Sequence, residues 1–135
     1  MNGYLMQEKT FLQGEDTFIE SYASANQFGV VFEDDGQTGY FYAVEISAEN
    51  PEPRILDALH IYEAEHLPPG RLPVKALIVW SKDWLKCALV LDDRCHALFD
   101  FSKHGGYNIN EFPPPNQFWT KQDRKLTNDL LKDIF

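Results

Sequence analysis

Residues Gln27 to Ile46 read QFGVVFEDDGQTGYFYAVEI, two apolar, β-prone runs around a polar centre. That centre holds three consecutive acids, Glu33, Asp34 and Asp35, and two glycines, Gly36 and Gly39. Val, Phe and Tyr fit a pleated, half-buried surface, and Asp-Gly tolerates the positive φ of a tight turn. The segment is therefore read as an antiparallel β-hairpin with its turn inside Asp34 to Gly39. It carries an acidic tip that a partner can reach at the sheet rim.

The same logic extends along the chain. VKALIVW, WLKCALVL and CHALFDF, between Val74 and Phe101, are separated by the short turns SKD and DDR. A loop around Lys82-Asp83 places Trp80, Ile78, Ala76 and Val74 opposite Leu85, Cys87, Leu89 and Leu91. A three-residue loop at Asp92 to Arg94 then brings Cys95, Ala97, Phe99 and Phe101 onto that same apolar face. The middle strand is apolar on both faces over Ala88 to Leu91, as in a central strand covered on both sides. Tyr4 to Leu12 and Thr17 to Ala23 read as weaker strands, although Asp16-Thr17 could also cap a short helix. Ile55 to Tyr62 fits either a strand or a short helix. Loops are marked by NPEP at Asn50 to Pro53, LPPGRLP at Leu67 to Pro73 and FPPPN at Phe112 to Asn116.

The chain closes with TKQDRKLTNDLLKDIF, in which Leu126, Leu130, Leu131 and Ile134 make one helical stripe with Thr120 or Asp123 as cap. A sheet face is the surface large enough to receive it. The expectation is an α+β fold: one mainly antiparallel, curved sheet of about six to seven strands with a C-terminal α-helix. At 135 residues, 44% of them hydrophobic, the chain is expected to form one globular domain over 1–135, with no metal or disulfide staple.

The formal net charge is −9. Phosphate backbones repel such a surface, which disfavours nucleic acid, and a basic protein is the natural complement. The N-terminal MNGYLMQEKTFLQG lacks the basic start and apolar run of a signal peptide, and no stretch approaches a membrane span, so a cytoplasmic location is expected. Cys87 and Cys95 fall roughly 13 Å apart along the expected hairpin, beyond disulfide reach, and are read as two free thiols.

No catalytic, cofactor or metal signature stands out. Glu33-Asp34-Asp35-Gly36 lacks the alternating acids and terminal Glu of a calcium loop. Neighbouring strand residues point to opposite sides, so Glu33 and Asp34 do not converge without a bulge. His60, His66, His96 and His104 have no i, i+2 or i, i+4 partner among themselves. No serine sits in G-x-S-x-G, and neither cysteine has an activating base beside it. His104, ahead of Gly105-Gly106, is the one loop histidine left as a candidate general base. The aromatic candidates for an interface are Trp84, Phe112 and Trp119, which join Glu33, Asp34 and Asp35 as the expected partner-binding set.

FEDDGQTGYFYAVE (Phe32 to Glu45), ILDALHIY (Ile55 to Tyr62) and HALFDF (His96 to Phe101) resemble a small family of uncharacterised bacterial proteins, a domain of unknown function. The FEDDGxTGYFYA string is the most specific part. The resemblance implies a small bacterial cytosolic domain without assigned activity, and carries no catalytic residues over. By analogy of class, small acidic bacterial domains include immunity proteins that neutralise toxins. The reading is a non-enzymatic, acidic protein-binding module, such as an immunity protein for a basic nuclease-type toxin. The alternatives are a small enzyme using carboxylates and a loop histidine, or a structural domain that pairs with a second copy of itself.

Overall fold

In-out alternation marks β-strands such as Thr17–Tyr22 and Thr38–Glu45, whereas Lys86–Leu91 is apolar and buried almost throughout. The computed structural model describes residues 1–49 and 51–135. Asn50, the first residue of the NPEP segment, lies outside them. The strands are β1 (Tyr4–Phe11), β2 (Thr17–Tyr22), β3 (Phe28–Asp34), β4 (Thr38–Glu45), β5 (Arg54–Glu63), β6 (Val74–Trp80), β7 (Lys86–Leu91), β8 (Arg94–Asp100) and β9 (Gly105–Asn108). They form two antiparallel sheets rather than one, in the orders β1-β6-β7-β8-β9 and β2-β3-β4-β5. Nine strands among the described residues replace the expected six to seven. The β3–β4 hairpin turns at Asp35 to Gln37, inside the expected span. Thr17 to Tyr22 and Arg54 to Glu63 resolve as strands, so the helical alternatives there fall. No helix among the described residues is long and apolar enough to cross a membrane.

The sheets pack face to face. Val30, Phe32, Phe41 and Leu59 from one meet Ile78, Trp80, Leu89 and Phe99 from the other, all fully buried. Each such side chain contributes about 1.5–3 kcal/mol of burial. Trp80 resolves its one polar atom by donating from Nε1 to Ser21 Oγ at 2.9 Å. β7 lies at the centre of the five-stranded sheet, as its doubly apolar sequence required.

Two register details differ from expectation. Trp80 pairs with Cys87 rather than Leu85, a shift of two residues that leaves the inner face unchanged. Ser81 and Asp83 stabilise the longer loop: Lys86 N donates to Ser81 Oγ, and Leu85 N to Asp83 Oδ1. In the next hairpin Leu91 pairs with Arg94, so the turn has two residues, Asp92 and Asp93, at φ of 46° and 66°. Two consecutive left-handed residues match the twist of a tight hairpin. A bulge between Leu89 and Val90 then sets Cys95 opposite Val90. Cys95 therefore belongs with the outer face, beside Val79, Ala88 and Leu98, while Cys87 stays in the core.

The C-terminal helix is the largest correction. Only Asn128–Leu131 is helical, after Thr127, so neither Thr120 nor Asp123 is the cap. Leu126, Leu130, Leu131 and Ile134 do cover the outer face of the five-stranded sheet, on Val79, Ala88, Leu98 and Tyr107. The preceding residues cannot coil because tertiary partners hold them extended. Asn108 N donates to Arg124 O, and Thr120 Oγ1 donates to Asp57 Oδ2 at 2.6 Å.

Arg124 itself is 1% exposed and grips Asp57 of β5 with two bonds of 2.8 Å, Nη1 to Oδ2 and Nη2 to Oδ1. Its remaining donors reach the carbonyls of Gly106, Pro113 and Pro114. The pair ties β5 in one sheet to β9 in the other, across edges that share no ladder. Gly106 makes room for it: a Cβ there would lie 2.6 Å from Asp57 Oδ2.

Removing one partner of a buried ion pair strands the other charge, at a cost of about 3–5 kcal/mol. Arg124→Met and Asp57→Asn should each lower the thermal midpoint sharply, and the double variant Asp57→Leu/Arg124→Met should recover part of the loss. If either single variant melts like the wild type, the pair does not hold the sheets together. The thiols give a second check. Burial raises the Cys87 thiol well above its ordinary range and pushes Cys95 up to about 11. Both should resist a disulfide reagent at pH 8 in the folded protein, and two should react per chain after unfolding.

Candidate functional site: the open face of the four-stranded sheet

The two sheets differ in what covers their outer surfaces. The C-terminal segment packs on the five-stranded sheet, whereas the outward residues of β2 to β5 belong to neither core cluster. Register sets those residues in rows. Phe18 pairs with Glu33, Glu33 with Tyr40, and Tyr40 with His60. In the next row Glu20 pairs with Val31, Val31 with Tyr42, and Tyr42 with Ala58. Phe18 is 54% exposed, and Phe112 extends the first row at 51%.

Aromatic contacts hold the rows in place. Tyr40 stacks on Tyr42 at 5.9 Å, meets the His60 ring edge-on at 5.4 Å, and His60 meets Phe112 edge-on at 5.8 Å. Phe112 is fixed because its carbonyl accepts from His60 N at 3.0 Å, which also occupies this part of the β5 edge. Asn110 Nδ2 donates to His60 Nδ1 at 2.7 Å, leaving Nε2–H to donate to Glu63 Oε1 at 2.9 Å. Both ring nitrogens are thus hydrogen-bonded, which fixes the ring and its tautomer. Burial, then the Glu33 charge, raises the Tyr42 hydroxyl above its ordinary pKa, with smaller effects from Tyr40 and Asp35.

The six expected partner-binding residues separate. Glu33 is exposed on this face, Asp35 is exposed at the turn beside it, and Phe112 borders it. Asp35 Oδ1 accepts from Thr38 N and Gln37 N, and these bonds hold its carboxyl below the usual range. Asp34 points inward and is 1% exposed, so it offers no surface to a partner. Its carboxylate accepts from Tyr62 Oη at 2.5 Å, Gly14 N at 2.7 Å and Gly36 N at 2.8 Å. Burial, and then the bond to Asp34, raise the Tyr62 hydroxyl far above its ordinary pKa. Trp84, half-buried, stacks on Tyr4 at 5.1 Å in the β6–β7 turn. Trp119 is buried against Phe99 and Phe101. Phe18, Tyr40, Tyr42 and His60 are the additions. Period-2 parity was their signal: Tyr40 and Tyr42 alternate with the buried Phe41 and Ala43.

The family described as an uncharacterized protein conserved in bacteria (DUF2251) matches residues 11–135. The chain belongs to that family. It is also 38% identical, over 103 residues, to an uncharacterized protein of Haemophilus influenzae. That match covers 75% of this chain and 62% of the relative, so the chain spans less than two thirds of that protein's length. No solved structure matches. The matched residues include every side chain of the open face.

The inward and outward acids should behave differently. Asp34→Ala leaves the Tyr62 hydroxyl and two backbone N–H groups without an acceptor, a loss of about 1–3 kcal/mol. Glu33→Ser, one residue away, should change stability by less than about 0.5 kcal/mol. Equal effects in a denaturant titration would contradict the placement of the two carboxylates.

Proposed function

We propose that the protein is a non-enzymatic binding module that docks a basic protein on the open face of its four-stranded sheet. The observation that supports this is the pairing of exposed Phe18 and Phe112 and half-buried Tyr40 and Tyr42 with carboxylates, on a face that the described residues leave uncovered. Phe18, Tyr40, Tyr42 and Phe112 supply the rigid apolar anchors on which interface energy concentrates. Glu20, Glu33 and Asp35 supply one sign of charge, in a chain of net charge −9. Such a field steers cationic partners and repels phosphate backbones. A nuclease-type toxin, whose surface is built to hold nucleic acid, has the complementary charge, and neutralising it is the role of an immunity protein. The cytoplasm, where such a toxin would act on its producer, is the compartment this reading implies.

The test is association with a basic nuclease-type protein encoded beside this one, followed by stopped-flow or surface-based kinetics. Glu20→Ser/Glu33→Ser should slow association, and the wild-type affinity should fall with added salt. Tyr42→Ala should mainly speed dissociation, by about tenfold or more if it is an anchor. Both variants should keep the wild-type thermal midpoint within a few degrees. Unchanged affinity and salt response in folded variants would move the interface elsewhere.

A further inference from the structure

A second site lies away from the open face and has the opposite charge. The β8–β9 turn and the segment from Phe118 to Gln122 border an open pocket of about 330 Å³. Its lining includes Lys103, His104, Phe118, Lys121 and Gln122, and no carboxylate. Two lysines and no carboxylate among the lining residues is unusual in a chain with 21 acids and 12 bases, although Asp133 lies near enough to feel the Lys103 charge. Of the carboxylates near it in sequence, the exposed Asp123 accepts from Lys125 N, and Asp100 is fully buried with its Oδ1 occupied by Ser102 N, Ser102 Oγ and Lys103 N. It is held behind the turn, where it shapes the loop.

His104 is the second indication. It occupies the left-handed region at φ 53°, a conformation uncommon for a residue with a Cβ. The ring is exposed yet fixed, stacked on Trp119 at 5.1 Å with 12° between planes. Trp119 is in turn locked into the core. The fold therefore holds an imidazole rigidly at the mouth of a lysine-lined pocket. Gln122 donates one N–H to Tyr107 Oη at 2.9 Å, which fixes its amide and leaves the other N–H free. Phe118, 67% exposed, forms an apolar wall.

We propose that this pocket binds a small phosphate-class oxyanion, with Lys103 and Lys121 as its charge partners and His104 and Gln122 as positioned hydrogen-bond donors. The overall negative charge does not forbid it. At physiological salt the field of distant charges is screened beyond about 8 Å, so the local cations decide the potential inside the pocket. The site is independent of the docking face: neither needs the other.

The probe is inorganic phosphate, titrated at constant ionic strength and followed by backbone amide shifts. Saturable shifts confined to residues 102–105 and 118–122 are expected. Lys121→Ser should weaken binding by roughly fivefold or more, since a charge-assisted bond is lost. His104→Gly keeps the turn, because glycine accepts the left-handed backbone without strain. It should therefore fold at least as well as wild type and still lose affinity, a combination that a purely structural histidine would not give. A nucleoside monophosphate as a second probe separates ligand sources. Tighter binding with added shifts at Phe118 assigns a nucleotide, and equal binding assigns the anion alone. Absence of saturable shifts with both probes, or unchanged affinity in both variants, overturns the site.

Discussion

The buried Asp57–Arg124 pair is the constraint on which the rest of the arrangement depends. Two open sheets facing each other leave four edges, and at the β5 and β9 edges the ladders stop. Hydrogen bonds between strands cannot continue there, because the strands belong to different sheets. A charged fork spanning Asp57, Gly106, Pro113 and Pro114 takes their place. Asn108 reinforces it from β9, donating to His60 O and Phe112 O. A dry ion pair is not by itself a large source of stability, since desolvation offsets most of the attraction. Its value here is geometric. Only one approach of the two edges satisfies all of the guanidinium donors at once.

That geometry has consequences on both sides of the molecule. To reach Asp57, the chain after β9 must run extended through Thr120 and Arg124 before it turns back over the five-stranded sheet. The apolar stripe from Leu126 to Ile134 is thereby delivered to one outer face and is used up there. Nothing equivalent remains for the other sheet, whose outer face keeps its tyrosines and acids. The asymmetry that makes one face a candidate for docking follows from how the seam is closed.

Local pattern made the sheets legible, and long-range pairing did not. The Phe28 to Glu45 hairpin and the run from Val74 to Phe101 were readable because parity and turn residues agree there. Parity also separates Asp34 from Glu33 and Asp35, which is why a continuous acidic rim dissolves into two surface acids and one buried acceptor. The Leu89/Val90 bulge leaves no mark in composition, so parity alone puts Cys95 on the inner face and the structure puts it on the outer one. The terminal helix was overcalled because Leu126 to Ile134 has helical spacing, while the contacts that straighten the chain before it come from residues far away. Asp57 and Arg124 are separated by 67 positions, and neither looks unusual among its neighbours. The lysine-lined pocket was invisible for the same reason, since Lys103 and Lys121 meet only after folding.

The order in which the chain supplies these parts bears on how it reaches its fold during synthesis. All nine strands precede Thr120 and Arg124. The chain therefore supplies every strand before the cation that joins the β5 and β9 edges. Domains assemble from the N-terminus at about 5–20 residues per second, so the interval is on the order of seconds. During it, Asp57 remains hydrated and the outer face of the five-stranded sheet has no cover. Until Arg124 is in place nothing joins those two edges, so the segment that arrives late is also the one that guards the folding chain against edge-to-edge association.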